Sequence, residues 1–418
     1  MLANPEDITL TEDQQQALDA FFQFLINPAE SAFVLRGYSG CGKSTLVRIL
    51  LDRLPGFIKM AKLINPKQED YDVELTATTN KAAENLGHIT GQHATTIHSF
   101  LSLRVQTDYK ANVTTLIPRS SIPREGYLLF IDEASYVDKQ LLKYIFQLTR
   151  NCKIVFIGDP AQLTPVKASG TPVFDAKFPG AQLSKVVRQA ENNPIVDLST
   201  KFRNTVNTGE FFSFTPDGHH VKYLPRNEFM DAIRAEFCRS DWRYSDSKIL
   251  AWTNKCVIGY NHYINERMKG DPHFQPNDYA VCNSFIQVGS SMIKTDQLVR
   301  ITRIGHDIDR LGVPGNLVTI DGMLDVFHPK SLDQWKAAIK LAREEDRIND
   351  VAEMESEWID LRAAYACTIN KAQGSTFDRV FVDLDDIRRC NSGDQIARML
   401  YVGVSRARHQ VFLTGDLV

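Results

Sequence analysis

Gly37-Tyr38-Ser39-Gly40-Cys41-Gly42-Lys43-Ser44 is the stretch that decides the fold class. It fits the pattern G-x-x-x-x-G-K-[ST]. An apolar run, Ala32-Phe33-Val34-Leu35, precedes it, and a helical pattern, Thr45 to Leu54, follows. Strand, loop, helix is the context that gives this pattern its meaning. Gly37, Gly40 and Gly42 let the backbone curl so that its N–H groups face a phosphate at a helix N-terminus. Lys43 then places a positive charge between β- and γ-phosphates. Ser44 offers a hydroxyl to Mg²⁺, and Thr45 completes the nucleotide-binding set.

Working outward, Leu128-Leu129-Phe130-Ile131-Asp132-Glu133 reads as a hydrophobic strand ending in two acids. Asp132 is expected to hold Mg²⁺ through its water shell. Glu133 is expected to orient or deprotonate the attacking water. The two motifs together indicate a P-loop NTPase that uses Mg²⁺, and do not by themselves distinguish a helicase from a kinase or a GTPase. A GTPase needs an Asn-Lys-x-Asp base reader, and Thr253-Asn254-Lys255-Cys256 lacks the acid. A small-molecule kinase would rarely need this length and a second α/β domain.

The alternation continues along the chain. Val73–Thr76, Tyr127–Ile131 and Lys153–Ile157 read as strands with helical segments between them, implying a parallel sheet covered on both faces. Ala17, Leu18, Phe21, Phe22 and Leu25 mark a helix starting after Thr11. A second α/β series starts near Leu183, with strands at Ile249–Trp252, Arg379–Val382 and Gln410–Leu413 and a helix at Gly393–Val402. Residues 276–330 interrupt it with short strand runs, Gln297–Ile304 and Asn316–Ile320, that suggest an inserted β-barrel. Leu332–Leu361 reads as a charged helical segment whose charges form a solvated face. The expected organisation is a first domain over 1–182 with an insertion at 102–125, a second over 183–275 plus 362–418, and the inserted barrel and helix over 276–361.

Composition limits the partners. Among 418 residues, 43% are hydrophobic and 24% charged, and the formal net charge is −3. No global basic character attracts nucleic acid, so any phosphate binding needs a local basic track. Seven scattered cysteines without CxxC spacing argue against a disulfide framework and a zinc site. No apolar run is long enough for a membrane span and no secretory signal is visible. A cytoplasmic, reduced, monomeric protein without a membrane partner is expected.

Further segments carry a family resemblance. Ile157-Gly158-Asp159-Pro160-Ala161-Gln162-Leu163-Thr164-Pro165-Val166, Cys367-Thr368-Ile369-Asn370-Lys371-Ala372-Gln373-Gly374-Ser375-Thr376 and Leu400-Tyr401-Val402-Gly403-Val404-Ser405-Arg406-Ala407-Arg408 resemble motifs III, V and VI of superfamily 1 helicases. Leu10-Thr11-Glu12-Asp13-Gln14 resembles the glutamine motif that reads adenine. In order and spacing the set is similar to the 5′-to-3′ group, its Dda-like members first and its RecD-like members more distantly. The resemblance implies an α/β protein of two RecA-like P-loop motor domains, with a small hairpin insertion in the first and a β-barrel insertion in the second. It implies that Gln162 contacts the γ-phosphate, that Gln14, Gln373 and Gly374 contribute to nucleotide binding, and that Arg188 and Arg406 are arginine fingers reaching ATP from the second domain.

It also implies an ATP-dependent 5′-to-3′ DNA helicase acting in replication, recombination or repair, in the host cytoplasm if phage-encoded. Single-stranded DNA and duplex junctions would be its partners, with a single-strand-binding or replisome protein as a further candidate. Motifs Ia and Ib are matched by Thr78-Thr79-Asn80-Lys81-Ala82-Ala83 and Thr95-Thr96-Ile97-His98-Ser99. The DNA-binding candidates are therefore Thr79, Asn80, Thr96 and His98, with Thr253, Asn254, Lys255, Thr368 and Asn370 in the second domain. Short hydroxyl and amide side chains at strand-to-helix turns can bond strand phosphates. His98 could equally be a turn-capping structural residue. The chain departs from the Dda-like pattern at Thr78-Thr79-Asn80 and Asn370-Lys371-Ala372, where that group has Pro-Thr-His and His-Lys-Ala. The 102–125 insertion is expected to be a strand-separating pin, with Tyr109 its candidate stacking residue. Cys41, beside a helix N-terminus, is read either as a reactive thiol of lowered pKa or as a shielded small residue. Three alternatives stay open: opposite polarity, RNA as the track, and an ATP-switched clamp that does not unwind.

Overall fold

The computed structural model describes residues 9–66, 69–108, 113–164, 170–185, 193–289 and 291–417. The described chain forms two compact units. One comprises described residues of 9–104, 116–214 and 392–405; the other comprises those of 105–115, 215–391 and 406–417.

In the first unit, six parallel strands form a sheet in the order Gly180–Leu183, Ala32–Gly37, Lys153–Gly158, Tyr127–Asp132, Asp72–Ala77 and Ala94–Thr96. The near-continuous apolar strands follow from burial on both faces. Phe33, Leu35, Leu128, Phe130, Val155 and Ile157 point to one face, with helices Glu12–Ile26 and Lys43–Ile64. Ala32, Val34, Leu129, Ile131, Ile154 and Phe156 point to the other, with helix Lys139–Gln147. The phosphate-loop helix runs ten residues past the expected end, through Pro55 to Ile64. Phe57 packs against Phe21 and Phe22 beyond the proline, so tertiary packing outweighs the local helix breaker.

The 102–125 insertion contains strands Leu103–Asp108 and Val113–Pro118, which pair as a two-stranded sheet. Its turn, with Tyr109, lies outside the described residues. The base is fixed at Leu116, whose carbonyl accepts from the Tyr144 hydroxyl at 2.9 Å, and by the Arg119 N–H bond to Ser102 O at 2.9 Å.

The second unit contains five parallel strands in the order Val221–Tyr223, Ala407–Thr414, Phe377–Asp383, Ser247–Ala251 and Ala366–Thr368. Helices Arg226–Phe237 and Asn254–Lys269 pack their apolar sides, Phe229, Ile233, Phe237, Val257 and Ile264, on it. Four strands of the 276–330 segment join Leu361–Ala363 in a five-stranded antiparallel sheet whose outer strands are Leu324–Pro329 and Leu361–Ala363, over a core that includes Val299, Ile301, Val318 and Ile320. The charged helical segment expected over 332–361 is divided, and beneath its exposed charges it carries a buried apolar stripe. Two helices, Leu332–Glu344 and Ile348–Ser356, flank a break at Asp346, whose φ is 58°. Trp335, Ala342, Val351 and Met354 are buried between them and the sheet with Trp358.

Candidate nucleotide site and helix termini

The strand order places three loops side by side. Strands 32–37, 153–158 and 127–132 are neighbours, so their carboxyl ends bring together the phosphate loop, Asp159–Thr164 and Asp132-Glu133. Ligands of open parallel sheets bind at such ends. Gly40 and Gly42 have φ of 83° and 77°, which L side chains rarely adopt, so the loop can turn its amides inward. The helix begins at Lys43, with Ser44 and Thr45 in its first turn and no acidic residue there. Its positive terminus therefore faces the loop uncompensated.

Lys43 folds back on the loop. Its ammonium donates to Gly37 O at 2.7 Å and Tyr38 O at 3.0 Å. Gln14 is buried; its amide nitrogen donates to Cys41 O at 3.3 Å and its amide oxygen accepts from Thr11 N in a capping box. The glutamine motif is thus tied directly to the phosphate loop. Cys41 is buried, and burial pushes its thiol up, outweighing the opposing effect of Lys43. Of the two readings of Cys41, a thiol of lowered pKa is not what the surroundings give; burial favours the shielded small residue.

At the next strand end, Asp132 accepts the Glu133 N–H at 2.8 Å. Burial and then the Glu133 charge push the Asp132 carboxyl up to about 7. Glu133 holds a left-handed backbone, φ 53°, a strained conformation of the kind that gathers at functional sites. Thr78, before the expected DNA contacts, donates its hydroxyl to Glu133 O at 3.1 Å. Between these loops, Asp159 is fully buried and accepts Ala161 N at 2.9 Å, and Gln162 is 3% exposed.

A helix adds contacts that the motif reading missed. Gly393–Ser405 packs on the first unit. Arg398 donates to Pro160 O and Gln162 O, each at 2.7 Å. The Tyr401 hydroxyl accepts Ser39 N–H at 2.9 Å and donates to Asp159. Arg203 stacks its guanidinium 3.7 Å from the Tyr38 ring centre. Tyr401 lies in the segment that resembles motif VI, while Arg398 is signalled in the sequence by its three-residue spacing from Gln395 and Tyr401.

Four of the DNA-binding candidates share one geometry. Thr79, Thr96, Thr253 and Thr368 are each the N-cap of a helix that follows a strand, and each hydroxyl oxygen accepts an amide of the first turn. Asn80, Asn254, Lys255 and Asn370 lie in those first turns, and Asn254 and Lys255 are exposed. The Thr253 hydroxyl also donates to Asp386 at 2.7 Å. His98 lies in the short helix Ile97–Phe100, with a pKa lowered chiefly by burial. In the second unit, Arg406 is buried and donates to Ser375 O at 3.3 Å. Gln373 is buried, and Gly374 has φ 78°. Arg188 lies outside the described residues.

A family model for an AAA domain matches residues 9–223, half of the chain and the part holding the phosphate loop. The chain belongs to the AAA domain family. A model for the UvrD-like helicase C-terminal domain matches residues 363–414 of this AAA-domain protein. It is 25% identical to the ATP-dependent DNA helicase dda of Enterobacteria phage T4, over 96% of this chain and 98% of that protein. It is 30% identical to the ATP-dependent RecD2 DNA helicase of Deinococcus radiodurans, over 46% of this chain and 23% of that protein. A solved Pif1 helicase structure aligns over 99% of this chain and 93% of its own, at 18% identity and a TM-score of 0.49. Among the described residues, no helix is long and apolar enough to cross a membrane, and no group of three or more His, Cys, Asp or Glu could hold a metal ion.

Proposed function

We propose that this AAA-domain protein is an ATP-dependent DNA helicase that translocates 5′ to 3′ on single-stranded DNA and unwinds duplex. The observation that carries the reading is the convergence of Lys43, Asp132-Glu133 and the Gln162 segment at neighbouring strand ends. The likeness to the phage T4 ATP-dependent DNA helicase along nearly the whole of both chains supports the activity, and the polarity is what the motif resemblance implies.

In this reading Gly37, Gly40 and Gly42 shape the phosphate cradle, and Lys43 leaves its two loop carbonyls for the β- and γ-phosphates. Gln14, Thr45, Gln373 and Gly374 complete nucleotide binding. Ser44 and Asp132 suit Mg²⁺, a hard cation that takes oxygen ligands and keeps several waters when few protein ligands are offered; bound there it would neutralise phosphate charge. Glu133 orients water, while Gln162, Arg188 and Arg406 act on the transferring phosphoryl group. The first turns after the four threonine caps, two in each compact unit, offer their polar side chains and the amides not taken by the caps to strand phosphates. Residues 183–275 plus 362–418 are the second motor domain and 276–361 its insertion.

The test is ATP hydrolysis with and without saturating single-stranded DNA. Strong stimulation is expected, with Lys43→Ala inactive yet folded and still binding the strand. Equal turnover with and without DNA would reject a motor, and wild-type turnover by Lys43→Ala would reject the site. Strand separation distinguishes a helicase from a clamp that only switches.

A further inference from the structure

Gln395, Arg398 and Tyr401 stand three residues apart on helix Gly393–Ser405, which places them on one face. That face meets 159–164 in reverse order. Gln395 donates to the Thr164 hydroxyl at 3.3 Å, Arg398 to the carbonyls of Gln162 and Pro160, and Tyr401 to Asp159. Asp394 receives Arg398 Nε at 2.9 Å, which leaves Nη1 aimed at the two carbonyls. Arg398 thereby grips the backbone at Gln162 and two residues before it, in a stretch outside any helix or strand.

Tyr401 adds a second link. Its hydroxyl has one proton, given to Asp159, and it accepts Ser39 N–H from the phosphate loop. One oxygen thus ties the phosphate loop to the segment carrying Gln162. Arg406 follows directly after the helix in the chain.

We propose that Arg398 and Tyr401 are positioning residues of the ATPase site: the helix face sets where Gln162 stands relative to the phosphate loop. Neither residue needs to touch the nucleotide, and both act through Gln162. The inference rests on the ATPase reading above. A displacement of about 1 Å at a group acting on the transition state can cost on the order of 100-fold in rate, so loosening the clamp lowers kcat more than it weakens ATP binding.

The test is a double-mutant cycle on DNA-stimulated ATP hydrolysis. Arg398→Met and Tyr401→Phe are each expected to lower kcat roughly 10- to 100-fold, with binding of a non-hydrolysable ATP analogue nearly unchanged. Arg398→Lys, which keeps a cation beside the carbonyls, recovers part of the loss and carries the test if Arg398→Met does not fold. In a Gln162→Ala background the same substitutions add little, because the residue they position is gone. An unchanged kcat, or an equal further loss on top of Gln162→Ala, overturns the proposal. Wild-type turnover by Gln162→Ala itself would instead overturn the assignment of Gln162, so the two failures are distinguishable.

Discussion

Replacing Glu133 by Gln removes a carboxylate and preserves nearly everything else. The Glu133 backbone is held by three bonds: its N–H to Asp132 at 2.8 Å, and its carbonyl from the Thr78 hydroxyl at 3.1 Å and Tyr136 N–H at 3.0 Å. Glutamine keeps all three. It also keeps the left-handed φ of 53°, so the strain, of order 1 kcal/mol, is present in both proteins and cancels. The backbone therefore gives no reason for thermal melting to fall, and the substitution also removes the charge that repels Asp132. What disappears is the group proposed to orient or deprotonate water, a role worth about 10²–10⁴ in rate. At 1.36 kcal/mol per decade that is about 3–5 kcal/mol of barrier. Steady-state ATP hydrolysis at saturating single-stranded DNA should fall by that factor, while binding of a fluorescent ATP analogue stays near wild type. A kcat within about threefold of wild type would show that Glu133 is not the base. A parallel loss of ATP binding would show that its charge serves the ground state instead.

Arg406→Ala should lower kcat by on the order of 10³-fold with little loss of ATP affinity; unchanged kcat in the same assay would remove Arg406 from the mechanism. Cutting the hairpin back to a Gly-Ser link between Arg104 and Leu116 keeps the Leu116 bond to Tyr144. DNA-stimulated ATPase should persist and most unwinding of a forked duplex should be lost; full unwinding by a stably folded variant would show that the hairpin is no pin. Lys153 is buried and donates to the carbonyls of Phe24, Asn27 and Glu30 at 3.0, 2.5 and 2.6 Å. Lys153→Met strands these acceptors, each costing about 1–3 kcal/mol when left unmet, so the first urea transition should move down clearly; an unmoved midpoint would contradict the role.

Local patterns made part of this legible. The phosphate loop, the strand ending in Asp132 and the four inner strands of the first sheet follow from apolar runs and glycine placement, because both signals are written in consecutive residues; the edge strands Gly180–Leu183 and Ala94–Thr96 are too short and too mixed in polarity to show. The extension of the first helix past Pro55 was not, since it depends on Phe57 meeting Phe21 and Phe22. The buried stripe of Trp335, Ala342, Val351 and Met354 was hidden by the dense charges between those residues. The grip of Arg398 and Tyr401 joins residues more than 200 positions apart, and spacing within one helix does not say what its face will meet. The choice between the two readings of Cys41 was not legible because burial, which depends on packing, raises the thiol against the opposing charge of Lys43.

The central claim is a motor that travels 5′ to 3′ along one strand, driven by ATP at the Lys43 site. It is tested most directly by unwinding duplexes that carry a single-stranded tail at one end only, 5′ or 3′, with ATP and Mg²⁺. The account predicts strand separation from the 5′-tailed duplex, none from the 3′-tailed one, and none from either with Lys43→Ala. Unwinding from the 3′ tail would contradict the polarity, and failure on both tails despite DNA-stimulated hydrolysis would leave an ATP-switched clamp in place of a helicase.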